Sequence, residues 1–107
     1  MHTPTFEIRE SQNDGWFRLV LVGELDMAAA PILEDRLSDL QSHRQSVLVD
    51  LSQLSFMDST GLRIMVESIR SASADGWRFA IDPNLSSQVR TLFRITHLEP
   101  FVGIRRD

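Results

Sequence analysis

Thr5-Phe6-Glu7-Ile8-Arg9 alternates apolar and polar side chains, and residues 16–24 form a longer run centred on Leu19-Val20-Leu21-Val22. Both patterns predict strands. Between them lies Asn13-Asp14-Gly15. Asn and Asp tolerate left-handed backbone and glycine adopts it freely, so the two strands should close into an antiparallel hairpin. From residue 27 to about residue 42 the pattern becomes helical, with Ile32, Leu33, Leu37 and Leu40 recurring at helical spacing. Asp26 is placed as its cap and Pro31 fits its first turn. Val47-Leu48-Val49-Asp50-Leu51 is short and rich in β-branched residues, as expected of a strand covered on both faces, and it breaks off into Ser52-Gln53-Leu54-Ser55.

A second helix is expected after Asp58. At about 100° per residue and with Leu62 as origin, Met65, Val66, Ile69, Ala72 and Ser73 gather within roughly 80°, while Thr60, Ile64, Glu67 and Ser71 fall on the far side. The first group is the expected core stripe. Asp75-Gly76 should end this helix, and Trp77-Arg78-Phe79-Ala80-Ile81 reads as a strand. Pro83-Asn84 leads into a third helix with Leu85, Val89, Leu92, Phe93 and Thr96 on one face. Phe101-Val102-Gly103-Ile104 is the last expected strand. An initial hairpin followed by alternating helices and strands predicts an α/β fold with a mixed parallel and antiparallel sheet.

Composition narrows the chemistry. A chain of 107 residues with 42% apolar content fits a single domain spanning 1–107 with one core. No apolar run approaches the ~20 residues that cross a bilayer, and Met1-His2-Thr3-Pro4 lacks the regions of a signal peptide, so the expectation is a cytoplasmic protein without membrane insertion. The absence of cysteine excludes disulfides, a thiolate metal site and a catalytic thiol. A formal charge of −4 argues against direct nucleic-acid binding, and Arg90 with Arg94 and Arg105 with Arg106 read as solvated surface.

Phe56-Met57-Asp58-Ser59-Thr60-Gly61-Leu62 is the segment that carries candidate chemistry: adjacent hydroxyls stand between a carboxylate and a glycine at an expected helix start. A helix start offers free N–H groups and partial positive charge, so a phosphate added there is accommodated while the surface charge changes sharply. Asp58, Ser59 and Thr60 are equally good capping residue types, and capping alone is a sufficient reading of them. Nothing points to an enzyme. His2, His43 and His97 are isolated, no nucleophile lies in a recognisable elbow, and no glycine-rich phosphate loop follows a strand. No cofactor or metal is expected. Convergence of Asp26, Asp50 and Asp58 as a magnesium or aspartyl-phosphate site, as in a response-regulator receiver, is the alternative acid chemistry. It lacks paired acids after an initial strand and a later basic residue at a strand end.

The order of elements around Asp58-Ser59-Thr60-Gly61-Leu62 resembles the STAS domain of bacterial anti-sigma factor antagonists. Gly23-Glu24-Leu25-Asp26 is similar to that family's second-strand ending, Val49-Asp50-Leu51 with Phe56 to Leu62 to its phosphorylation loop, and Val89-Arg90-Thr91-Leu92-Phe93 to its late helix. The resemblance implies a STAS-type mixed β-sheet with helices packed against it, lacking the family's C-terminal helix because the chain stops at Arg105-Arg106-Asp107. A sheet face left bare in this way would invite self-association.

In function it implies a partner-switching regulator of transcription. Unphosphorylated, it binds an anti-sigma factor serine kinase and frees the sigma factor; phosphorylation on Ser59, with Thr60 as the alternative, releases the kinase. ATP belongs to the kinase, and a serine phosphatase resets the switch. The alternative is a STAS binding or scaffold subunit of another assembly, a lipid-transport ATPase or a stressosome-like complex. Partner-binding residues expected on this basis are Asp26, Asp58, Ser59, Thr60 and Gly61. The helix angles add Ile64 as an exposed apolar contact and Arg63, four residues beyond Ser59, as a guanidinium within reach of a phosphate there.

Overall fold

The computed structural model describes residues 5–103. Strands β1 (Phe6–Asn13) and β2 (Trp16–Leu25) form the expected hairpin, paired from Phe6↔Gly23 to Asn13↔Trp16. Asp14 and Gly15 close it with φ of 52° and 81°. Two successive left-handed residues give the tight turn whose twist matches that of the flanking strands.

β2 is long enough to serve two further strands in succession. Helix α1 (Ala30–Ser42) leads to β3 (Ser46–Asp50), which runs parallel to the first half of β2 from Trp16↔Ser46 to Val20↔Asp50. After a turn the chain resumes beside the second half of β2 as β4 (Leu54–Met57), with Glu24↔Phe56 and Leu25↔Met57 in register. This strand begins within the break expected over Ser52-Gln53-Leu54-Ser55. Its burial alternates irregularly because the β2–β4 register shifts between Gly23 and Glu24, which erases the period-two signal. Gly23 itself has φ of +99°, and a Cβ there would lie 1.8 Å from the Thr5 carbonyl oxygen, so no other residue fits.

Helix α2 (Ser59–Asp75) follows β4 and ends, as expected, at Gly76 in the left-handed conformation. β5 (Phe79–Ile81) pairs parallel with β3, giving the sheet order β1-β2-β3-β5 with β4 beside β2. Trp77 stays outside β5, buried, with its indole N–H donated to the Gln45 carbonyl at 2.7 Å. Helix α3 (Ser87–Ile95) buries Val89 and Phe93 completely. Over residues 101–103, the described part of the strand expected at 101–104, no strand is formed. A 3₁₀ turn occupies Glu99–Phe101, and Gly103 donates its N–H to the Ile81 carbonyl at 2.6 Å. Ile104, Arg105, Arg106 and Asp107 lie outside the described residues, and with them the place where the family's C-terminal helix would follow.

One hydrophobic core joins Leu19, Leu21 and Leu25 of β2, Val47 and Val49 of β3, Leu33 and Leu37 of α1, Met65 of α2 and Phe93 of α3. Fully burying each such side chain contributes roughly 1.5–3 kcal/mol. The first helix departs from expectation at two points: α1 begins at Ala30 instead of residue 27, leaving Met27 76% exposed before it, and Ile32 of the expected stripe is 54% exposed on its outer side. The sheet surface on the other side carries a smaller cluster of Trp16, Leu48 and Ala80.

Candidate functional site

The end of β4 and the start of α2 form the site. Met57 is the last residue of β4, and Asp58 turns the chain into the helix with extended backbone, φ −102° and ψ −170°. One Asp58 carboxylate oxygen accepts the Thr60 and Gly61 N–H groups at 2.9 and 3.2 Å. This is the capping role in full: it satisfies two N–H donors that the first helical turn cannot pair internally. The Asp58 N–H is donated to the Leu25 carbonyl at 3.3 Å, tying the start of α2 to the end of β2.

Ser59 is the first residue of α2 and is exposed, and its hydroxyl makes no hydrogen bond among the described residues. Thr60 is half-buried behind it. Asp26 lies at the adjoining strand end, one residue beyond Leu25. Its carboxylate accepts the Ala29 N–H at 3.0 Å and its carbonyl accepts the Ala30 N–H at 2.9 Å. Asp26 thus shapes the turn entering α1, whose own N-cap position is Ala29.

Two expected contact residues belong to the interior. Ile64 is 3% exposed and packs in the main core, contrary to its expected outward placement. Gly61 is buried as well: a Cβ there would come within 2.9 Å of Leu25 Cγ and 2.8 Å of Met57 Cγ. The missing side chain lets α2 touch the strand ends at that point, so the buried face centres on Gly61, Ile64, Met65 and Ser68. Leu62, the origin of the angular reading, lies about 100° from Gly61 and is only half-buried. The buried stripe is rotated from the expected one because the closest approach is made by a residue without a side chain.

Arg63 is exposed as expected, but its guanidinium donates to Glu67 at 2.7 Å and Glu34 of α1 at 3.4 Å, away from Ser59. The three aspartates of the receiver-like reading do not gather. Asp50 is held by Arg18 at 2.6 Å and by the Ser52 N–H and hydroxyl at 2.8 and 2.6 Å. Burial alone would raise its carboxyl; these Ser52 and Arg18 hydrogen bonds and the Arg18 charge outweigh that and hold it below the ordinary value. Among the described residues no three acidic or imidazole side chains cluster as a metal site.

Sequence reading missed two kinds of neighbour. Phe56, 41% exposed on β4, and Met27, just beyond Asp26, leave apolar surface beside the turn. Phe56 stands inside the motif, so its place was available to be noticed. Gln88 of α3 is the other. Its carboxamide accepts the Met57 N–H at 2.9 Å and donates to the Met57 carbonyl at 3.0 Å. No local pattern announces that contact.

The STAS domain family model matches residues 6–107, and the chain belongs to that family. A relative from Bacillus subtilis, the anti-sigma-B factor antagonist, is 30% identical over 98 residues, covering 92% of this chain and 87% of the relative. The fold is similar to that of an anti-sigma factor antagonist from Mycobacterium paratuberculosis, with TM-score 0.79 at 21% identity over 96% of this chain and 88% of the other. It also resembles the antagonist SpoIIAA in its unphosphorylated form, with TM-score 0.73 at 25% identity, covering 91% and 84%. The Bacillus cell fate determinant SpoIIAA in the phosphorylated form matches with TM-score 0.70 at 24% identity, covering 91% and 87%.

Proposed function

We propose that this protein is an anti-sigma factor antagonist that works by binding rather than catalysis and is switched at Ser59. In this reading it captures an anti-sigma factor while Ser59 is unmodified, freeing the sigma factor in the cytoplasm. The captured factor is itself a serine kinase. Its phosphorylation of Ser59, with Thr60 the alternative hydroxyl, ends the complex, and a serine phosphatase restores it. The observation that carries this reading is an exposed Ser59 hydroxyl at the first position of α2, on a turn whose Thr60 and Gly61 N–H groups are already held by the Asp58 carboxylate. The names of its relatives, anti-sigma factor antagonists, agree with the antagonist role.

The charge change is sufficient for release. A phosphoserine carries roughly −1.5 to −2 charges, and one unit pair at about 5 Å contributes around 3 kcal/mol at an effective dielectric of 20. That is about a hundredfold in affinity for each repelling pair. The phosphate sits at a helix N-terminus, so no unfolding is needed. The contact surface comprises Asp26, Asp58, Ser59, Thr60 and Arg63, with Met27 and Phe56 as its apolar members. No helix among the described residues is long and apolar enough to cross a membrane.

Incubation with the anti-sigma kinase of the same organism and ATP, followed by phosphate mapping, tests the proposal. Phosphate is expected on Ser59, with Ser59→Ala still binding the kinase and Ser59→Asp weakening it about a hundredfold. Stable kinase binding without phosphate on Ser59 or Thr60 would replace the switch by a scaffold role. A phosphoprotein stable to hydroxylamine confirms an ester; a labile one points to an aspartyl phosphate.

A further inference from the structure

We propose that Gln88 is a positioning residue for the phosphoacceptor turn, clamping the Met57–Asp58 peptide so that Ser59 is presented to the kinase in one geometry. The proposal rests on the switch reading of Ser59, and its argument begins at an open sheet edge. β4 pairs with β2 along one side, and Asp58 donates its N–H to Leu25 on that side. Backbone groups alternate in direction along a strand, so the Met57 N–H and C=O both face away from β2. Left alone, they would be unpaired at the edge of a buried residue, since Met57 is 1% exposed.

Gln88 meets both. A primary carboxamide carries one acceptor and a donor in nearly the geometry of a peptide group, and here Oε1 takes the Met57 N–H while Nε2 reaches the Met57 carbonyl. The side chain stands in for a neighbouring strand. The Met57 carbonyl and the Asp58 N–H belong to the same peptide unit, so that plane is held from opposite sides, by Gln88 at its oxygen and by Leu25 at its nitrogen. Rotation of this plane would swing Asp58 out of its cap and re-aim Ser59, the next residue but one after Met57.

Gln88 is well placed to hold firm. It lies in the first turn of α3, directly before the fully buried Val89, and Leu85 anchors the preceding loop at 8% exposure. The outer face of the same helix exposes Arg90, Thr91, Arg94 and Ile95.

Gln88→Met keeps the length and shape of the side chain and removes both hydrogen bonds. Amide exchange at Met57 in the free protein should accelerate about tenfold or more, and kcat/KM for Ser59 phosphorylation should fall by about tenfold. Gln88→Glu keeps an acceptor for the Met57 N–H but sets a carboxylate against the carbonyl; protection at Met57 should survive while the kinetic loss persists. Wild-type exchange at Met57 in Gln88→Met overturns the clamp, whatever the kinase does. Lost protection with wild-type phosphorylation kinetics in both variants reduces Gln88 to a structural contact and overturns the positioning role. Absence of phosphate on the unmutated chain would overturn the switch reading instead, with amide exchange still deciding the clamp.

Discussion

Two places in this fold set an arginine between two carboxylates, and they are built to opposite ends. On the sheet, Arg18 reaches Asp50 at 2.6 Å and Asp82 at 3.1 Å, with Asp50 9% exposed and Arg18 32%. On the helices, Arg63 reaches Glu67 at 2.7 Å and Glu34 at 3.4 Å, and all three side chains are more than 40% exposed. The first arrangement uses both Asp50 oxygens, one for Arg18 and one for Ser52. The second leaves a hydroxyl, Ser59, exposed beside the Asp58 cap. Similar residue types thus give a fixed joint where burial makes each partner indispensable, and an adjustable surface where solvent screens every pair.

The sharpest break of that contrast is Asp50→Ala. It strands the Arg18 guanidinium against Asp82 alone and leaves the Ser52 donors unpaired. Breaking a buried pair costs about 3–5 kcal/mol, and the partial exposure of Arg18 lowers the expectation to about 2–3 kcal/mol. Denaturant melts should show this loss, with binding by the folded fraction unchanged. The pH dependence has a definite sign. The Asp50 carboxyl is held below its ordinary value, so its contribution is complete above about pH 4 and fades as pH falls through the lowered folded value. Asp50→Asn should flatten the stability profile in that acid range and leave its shape near neutrality intact.

Asp58→Ala tests the other aspartate. It removes the acceptor of two N–H groups at an open helix end, where water substitutes, so the loss should be about 1 kcal/mol. A domain of this size then melts roughly 4–8 °C lower. The contrast predicts a functional difference as well: phosphorylation at Ser59 should slow in Asp58→Ala, because the first turn of α2 frays, and stay normal in the folded fraction of Asp50→Ala. Equal slowing in both would dissolve the distinction between joint and switch.

How much of this could be read from the chain follows the range of each interaction. The turn at Asp14-Gly15, the Asp58 cap and the Gly76 stop depend on neighbours within a few residues, and they stand where local chemistry put them. β4 did not, because its four residues span a register shift that breaks alternation. Periodicity puts Ile64 on the wrong side because it gives only relative angles, whereas the absolute direction of the core is set by Gly61 against Leu25 and Met57. Ile32 shows the same limit on α1. Gln88 was beyond reach altogether, since its partner Met57 is 31 residues away and nothing in a lone glutamine marks the contact.

Arg63 carries the smallest expected effect and the finest test of an adjustable surface. Exposed pairs of this kind contribute about 0.2–1 kcal/mol, so Arg63→Ala should shift the melting temperature by only a few degrees. Phosphate on Ser59 would compete with Glu34 and Glu67 for the same guanidinium from one helical turn away. Because charge-assisted bonds to phosphate are stronger than exposed carboxylate pairs, part of the arginine's time should pass to the phosphate. Phosphorylation should then stabilise the wild type relative to Arg63→Ala by about 0.5 kcal/mol, and the difference should vanish at high salt. Identical thermal shifts on phosphorylation of the two proteins at low salt would show that Glu34 and Glu67 retain the guanidinium and that this surface does not adjust to the phosphate.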